Sequence, residues 1–404
     1  MPSDPVDTAE ASARSRRSRR TTILVVLAVL VALIAIATAV IALTGGSIIG
    51  LGTPAATSTP VTATTTSTPT AVPTSTPRPT EPPAPAAPVV RVPATCEQLL
   101  PQSVAEAIVG GPLAAFSGSA HTASPMSFVG DRVGQLGCAF SETGGSVYDS
   151  AAYEVGITVV PDVSDEAFEQ TVQREGIFVG TPEPSIGPDT YSACVPSPGT
   201  RPNSCSFIAH VGGYGVSLSS AFATTITEQQ MAETRARFVD LRAAIEELGE
   251  PGALWQPDGP RLRGASDCAG LIDPAELAAA LGIEAVEEYK SAEGEYNGSP
   301  FFADEQVGAY YCSWTDADRS AGVGASIAVL PGGAVYREEG LTADPDLVWS
   351  PAPDYPGEAA ISVGPDASQV SLAIDGGWLT VTAPSDALHA VTDIALRNQG
   401  VALD

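Results

Sequence analysis

Six cysteines, at positions 96, 138, 194, 205, 268 and 312, lie in a chain that states much of itself twice, and the two facts together leave few folds open. An even set of cysteines reads as disulfides in an exported chain and as metal or redox ligands in a cytosolic one. No Cys-x-x-Cys pair occurs here, which favours the structural reading. Six cysteines allow fifteen pairings, and the repetition narrows them.

The first copy opens on Cys96-Glu-Gln-Leu-Leu-Pro and the second on Cys268-Ala-Gly-Leu-Ile-Asp-Pro. Each leads into a short alanine-rich helix that stops at glycine. In the second copy Asp273 is a good N-cap, Pro274 suits the first helical position, Leu277 and Leu281 share a face, and Gly282 ends the helix. Ala105, Val109 and Gly110 take those places in the first copy.

Next come Gly137-Cys138-Ala-Phe140 and Tyr311-Cys312-Ser-Trp314, each followed by an alternating strand, Tyr153 to Val160 and Gly324 to Leu330. Further on, Ser185-Ile-Gly-Pro-Asp189 pairs with Ser362-Val-Gly-Pro-Asp366, and Gly212-Gly213-Tyr214 with Gly376-Gly377-Trp378. Each copy closes with a helix. The first starts at Thr227 with Gln230 three residues on, a capping box, and shows Met231, Phe238, Leu241, Ile245 and Leu248 on one face. The second starts near Ser385 and places Leu388, Val391 and Ala395 similarly.

Equivalent cysteines form equivalent bonds, so Cys96 is expected to join Cys138 and Cys268 to join Cys312. Cys194 and Cys205 then pair, stapling a stretch that is longer in the first copy. The expected architecture is α+β: two tandem repeats at 94–250 and 265–404, each an antiparallel sheet with N- and C-terminal helices, joined by a Gly/Pro-rich linker at 251–264.

What precedes the repeats places them. Ile23 to Leu43 is an apolar run broken only by Thr38, long enough as a helix to span about 31 Å, the thickness of a bilayer core. It exceeds the 7–15 apolar residues of a cleaved signal peptide, and no cysteine lies near its end for lipid attachment. Arginines 14, 16, 17, 19 and 20 precede it and no basic cluster follows, so the expected topology is a cytoplasmic basic tail at 1–20, a transmembrane signal anchor at 21–44, and everything beyond outside the cell. Residues 53–93 hold 12 threonines and 11 prolines, a composition that cannot bury a core, so 45–93 reads as a disordered spacer.

The formal net charge is −28, from 47 acidic and 19 basic residues. Such a surface repels phosphate, which argues against nucleic acid as a partner. The pattern of a cysteine followed by Leu-Leu or Leu-Ile, an alanine-rich helix ending in glycine, and Cys-x-aromatic about forty residues later resembles small secreted actinobacterial domains of unknown function, many of them on lipoproteins. The likeness covers the first sixty or so residues of each copy. It implies an α+β fold in a bacterial envelope and carries no activity with it. The single lysine, Lys290, beside eighteen arginines fits the same source.

Catalytic signals are sparse. His121 stands in a loop, His210 on a strand and His389 at the start of the last helix, none with a second ligand at metal spacing. No His-Glu-x-x-His, phosphate-binding glycine loop or Gly-x-Ser-x-Gly elbow appears, and no cofactor is implied. The acidic residues Glu284, Glu287, Glu288, Glu293 and Glu295 and the pair Asp316 and Asp318 lack the pattern of a calcium loop. Aromatic residues gather between Tyr289 and Trp314, and of these Tyr289, Tyr296, Phe301 and Phe302 are candidate ligand contacts, on a loop the first copy replaces with His121 to Phe128.

The expectation for function is a membrane-anchored extracytoplasmic module that binds an envelope protein, a glycan or a lipid, for sensing or scaffolding. The alternative is a cell-wall-acting enzyme whose site has no sequence signature. Convergent carboxylates with shifted pKa values in a deep pocket would favour the enzyme.

Overall fold

The computed structural model describes residues 85–116, 121–144, 151–175, 180–195, 203–223, 225–259, 262–265, 267–289, 300–317, 324–343, 347–364 and 368–403. The apolar run Ile23–Leu43 lies outside them, as does the spacer up to residue 84. Among the described residues no helix is long and apolar enough to cross a membrane.

The first repeat runs α1 (Cys96–Leu99), α2 (Gln102–Val109), β1 (Ala114–Phe116), a 3-10 turn (Pro125–Phe128) leading into α3 (Val129–Val133), β2 (Leu136–Ser141), β3 (Tyr153–Val160), α4 (Asp165–Glu175), β4 (Thr181–Pro182), β5 (Thr190–Val195), β6 (Asn203–Val211), β7 (Tyr214–Phe222) and α5 (Glu228–Glu246). The second runs α6 (Cys268–Leu271), α7 (Pro274–Leu281), β8 (Val286–Glu288), a 3-10 turn (Pro300–Phe302), α8 (Ala303–Val307), β9 (Tyr310–Asp316), β10 (Gly324–Leu330), a 3-10 turn (Gly333–Tyr336), α9 (Arg337–Ala343), β11 (Ser350–Pro351), β12 (Glu358–Val363), β13 (Ser368–Ile374), β14 (Gly377–Ala383) and α10 (Leu388–Asn398).

Each repeat forms a seven-stranded antiparallel sheet, in the order β1-β2-β3-β7-β6-β5-β4 and β8-β9-β10-β14-β13-β12-β11. Read strand by strand the two orders coincide, so the layout is α+β with two like repeats. Even the outer edges agree: β4 and β11 are two-residue strands that end in Pro182 and Pro351. Proline has no N–H to offer a further strand, and so short an edge gives little to pair with.

The helices begin and end where local chemistry dictates. Asp273 accepts from the backbone N–H groups of Ala275 and Glu276, Pro274 takes the first turn, and Gly282 closes α7 in the left-handed region at φ 69°. Thr227 and Gln230 form the expected capping box on α5. Behind these caps Ala105, Ile108, Phe238, Leu241 and Ile245 pack on Val155, Ile157, Val216 and Leu218 of the first sheet. Leu277, Leu388, Val391 and Ala395 do the same on Ile327, Val329, Leu379 and Val381 of the second. The disulfides Cys96–Cys138 and Cys268–Cys312, each with Cα atoms 5.6 Å apart, tie α1 and α6 to the sheets behind them.

Two of the matched signatures do not superpose. The hairpin between β6 and β7 turns through Gly212 and Gly213, both at positive φ, and the hairpin between β13 and β14 turns through Asp375 and Gly376. Tyr214 therefore corresponds to Gly377, and Gly215 to Trp378. A slip of one residue changes the face: Tyr214 is buried beneath the helices, its hydroxyl donating to the Gly249 carbonyl at 2.8 Å, while Trp378 is buried on the opposite face. Likewise Ser185–Asp189 precedes β5, whereas Ser362 and Val363 end β12, so that resemblance is coincidental. The staple itself is where it was expected. Cys194 and Cys205 are directly opposed on β5 and β6, and the opposed pair at the matching hairpin of the second repeat is Val363 and Ser368. Residues 195–204 intervene in the first case and only 364–367 in the second, so the disulfide closes the longer hairpin.

The chain enters this body at Arg91, which is buried. Its backbone N–H donates to the Gly134 carbonyl, its carbonyl accepts from Gly252, and its guanidinium reaches the Gly252 and Val133 carbonyls and the Asp162 carboxylate. The entering segment and the joint between the repeats are thereby fastened to the same corner of the first sheet.

Candidate functional site

Chemistry comes together at the seam between the repeats and in a cleft confined to the first repeat. The seam is built from the 3-10 turns. Phe128, fully buried, leaves the first repeat and lies 5.4 Å from the Trp378 ring and 5.5 Å from that of Tyr336 in the second. Phe301 makes the return journey, stacked 6.2 Å from Phe168 and pressed on Gly215. Just beyond each turn, equivalent positions reach equivalent carbonyls. Arg132 Nε donates to Pro331 at 3.1 Å, and Gln306 Nε2 donates to Pro161 at 2.9 Å. Reciprocity of this kind is the mark of a twofold interface, here drawn inside one chain. Arg132 adds a hydrogen bond to the Trp255 carbonyl and lies 5.0 Å over the Trp255 ring, so the linker between the repeats is part of the seam.

At its exposed margin the seam carries its titratable groups. His121, in the loop ahead of the Phe128 turn, stacks on Phe128 at 4.0 Å. Its Nε2 is 3.0 Å from Asp131 on α3, and its Nδ1 is 2.9 Å from Glu339 on α9 of the other repeat. Burial lifts the Asp131 carboxyl above the ordinary range; the neighbouring His121 pulls it back and the like charge of Glu339 lifts it further, with a net rise. Burial, helped by the Asp131 charge, also pushes the Tyr336 phenol far up. That hydroxyl is enclosed with no hydrogen-bond partner among the described residues.

The cleft has a volume of about 440 Å³ and lies between β5, β6 and α5. Phe207, Met231 and Cys194 of the hairpin staple line its apolar part, and Glu183, Ser192 and Arg235 its polar part. The cause is the length of α5, 19 residues against 11 in α10, which carries Arg235 over the β4–β5 turn. There Arg235 meets Glu183 at 2.9 Å and donates to Ser185 at 2.8 Å. Partial burial works to raise the Glu183 carboxyl, but hydrogen bonds from Arg235 and Ser192 and the arginine charge outweigh it and hold the group below its usual value. An acid so held is ionised at neutral pH and is a poor proton donor.

The sign of that shift makes a prediction. A depressed carboxyl stabilises the fold above its ordinary pKa, and the contribution is lost as pH falls through the lowered value. Glu183→Gln is expected to lower the thermal midpoint slightly at pH 7, by an amount worth under about 1 kcal/mol for so exposed a pair. The gap from wild type closes in acid, and melting curves from pH 7 to pH 2 would expose a gap that persists.

The ligand contacts expected from sequence are not brought together. Phe301 and Phe302 are 3% and 6% exposed, Phe301 in the seam, Tyr289 is 56% exposed at the end of β8, and Tyr296 lies outside the described residues. Glu293, Glu295 and Asp318 are outside them too. Among the described residues no three His, Cys, Asp or Glu side chains are grouped to hold a metal ion. His210 and His389 each face one carboxylate, Asp165 at 3.1 Å and Asp393 at 3.3 Å. The cleft has no signature in sequence, because its walls come from residues between 180 and 235 with no shared motif. No protein-family model, curated protein or solved structure matches the chain.

Proposed function

We propose that the chain is a membrane-anchored protein of a bacterial cell envelope, held outside the cell on its Thr/Pro-rich spacer, and that it works by binding. The supporting observation is the cleft of the first repeat. Its apolar part suits a hydrophobic group of a partner, and its rim offers a fixed, ionised Glu183 paired with Arg235, arranged to orient a polar neighbour. The two repeats have diverged here, as expected when one copy of a duplication keeps a site and the other supports it. Three disulfides suit a body working in an oxidising compartment. The partner class is an envelope protein, glycan or lipid.

Photo-crosslinking in living cells tests this, with the probe at Ala232 on the cleft, at the exposed Tyr289, and at Pro60 in the spacer as control. One envelope component captured from Ala232 and lost from Pro60 is the expected result. Capture from Tyr289 alone would move the site to the second repeat. Capture no greater than from the spacer at both positions would count against binding and in favour of a wall-acting enzyme.

A further inference from the structure

We propose that His121, Asp131 and Glu339 form a proton-operated latch across the seam, closed while the three share one proton and released as the surrounding pH rises. The case rests on the geometry of the imidazole. Both ring nitrogens face carboxylate oxygens, at 3.0 Å and 2.9 Å. A neutral imidazole has one N–H and one bare lone pair, so it can donate to only one of them. The other contact would set lone pair against lone pair. Both contacts are satisfied when the cluster holds one more proton, either on the ring, which then donates twice, or on a carboxyl that donates to the ring.

Three features make this proton matter to the seam. Asp131 belongs to the first repeat and Glu339 to the second, so the cluster changes from a net charge of −1 to −2 across an interface when the proton leaves. The ring that carries it lies flat on Phe128, the residue driven into the second repeat. Glu339 is followed by Gly340, which is packed so closely on Trp378 that a Cβ would fall 2.2 Å from the indole. Loss of the proton thus acts on both walls of the aromatic contact.

The other charged groups nearby do not take its place. Arg132 is committed to the Pro331 and Trp255 carbonyls, and Tyr336 has a phenol raised away from neutral pH. His210, in the other half of the seam, also has both nitrogens on acceptors, the Val163 carbonyl and Asp165. Asp165 is 92% exposed and in the same repeat, so protonation there joins nothing across the seam. The sign follows from linkage: the closed seam binds a proton that the open one releases, so closure is favoured in acid and weakens as pH rises.

Hydrogen exchange of the full chain in detergent, read by mass spectrometry between pH 5 and pH 9 and corrected for the intrinsic pH dependence of amide exchange, tests the latch. In the wild type the opening equilibrium of residues 121–134 and 333–343 is expected to rise by up to about tenfold per pH unit over the interval in which one proton leaves. Glu339→Gln should abolish that rise, because its amide donates to the bare ring nitrogen at high pH. Glu339 is 62% exposed, so the variant is expected to fold. Opening in the wild type that does not change with pH, or a rise that survives in Glu339→Gln, would overturn the proposal.

Discussion

Phe128→Ala is expected to cost about 3–5 kcal/mol of stability, the range for deleting a buried phenylalanine, and to separate the unfolding of the two repeats. Phe128 is fully buried although it sits in a short turn, because the second repeat provides its pocket: Trp378, Tyr336 and the neighbouring Leu330. Removing the ring leaves a cavity lined by rigid aromatic groups that cannot collapse to fill it. Each repeat keeps its own helix-covered core, centred on Phe238 and Leu241 in one and on Leu277 and Val391 in the other. What the substitution removes is the coupling between those cores. Urea unfolding followed by far-UV circular dichroism should therefore change from one transition to two, and tryptophan fluorescence, whose reporters Trp314, Trp349 and Trp378 all lie in the second repeat, should identify the one that belongs to it. Val335→Ala, at a neighbouring exposed position, should shift the curve by no more than about 0.5 kcal/mol. A loss in Phe128→Ala of under about 1 kcal/mol, with a single transition retained, would mean that the seam is not what joins the repeats.

Legibility in the sequence followed the range of the interactions. Asp273, Pro274 and Gly282 could be read as a helix start and stop because capping is settled within four residues. The pairings of Cys96 with Cys138 and of Cys268 with Cys312 could be read because the duplication supplied a comparison. The strands Tyr153–Val160 and Gly324–Leu330 emerged with the expected bounds, since alternation marks a half-covered sheet.

The sequence misleads in two ways. Matching Tyr214 with Trp378 followed a Gly-Gly-aromatic resemblance and missed that a hairpin is aligned by its turn, where Asp375 replaces a glycine because it too tolerates positive φ. The seam was missed for a different reason. Nothing local distinguishes Phe128, Arg132 or Gln306, and His121 gains its meaning from Glu339, 218 residues away. Phe301 and Phe302 read as ligand contacts because they are aromatic residues in a polar loop, but both are buried, and both take left-handed backbone at φ 56° and 54°. Such a conformation costs a bulky residue about 1–3 kcal/mol and at Phe301 persists because the seam holds its ring against Phe168 and Gly215. No propensity scale would place them so.

The seam also predicts an energetic coupling that its two halves can report separately. In the second repeat the second position after the β13–β14 turn carries Trp378, and in the first the matching position is Gly215, left bare to receive Phe301. A Cβ at Gly215 would lie 2.5 Å from the root of the Phe301 ring, an atom close to the backbone that cannot swing aside as a chain end would. Gly215→Ala is accordingly expected to destabilise by about 1–3 kcal/mol, the usual range for overpacking. Phe301→Ala is expected to destabilise by loss of buried surface, and since alanine keeps a Cβ the left-handed backbone stays as costly as before. The double variant should be more stable than the sum of the two losses implies, because the ring that clashes is no longer there. A coupling of about 1–2 kcal/mol, within the range for residues in direct contact, is the expected result of the double-mutant cycle, measured by urea unfolding of all four proteins under one set of conditions. Strict additivity would show that Phe301 does not rest on Gly215 in solution. The two repeats would then be joined through the Phe128 half alone, and the reciprocity of Arg132 with Gln306 would be a relic of the duplication that no longer contributes to holding the repeats together.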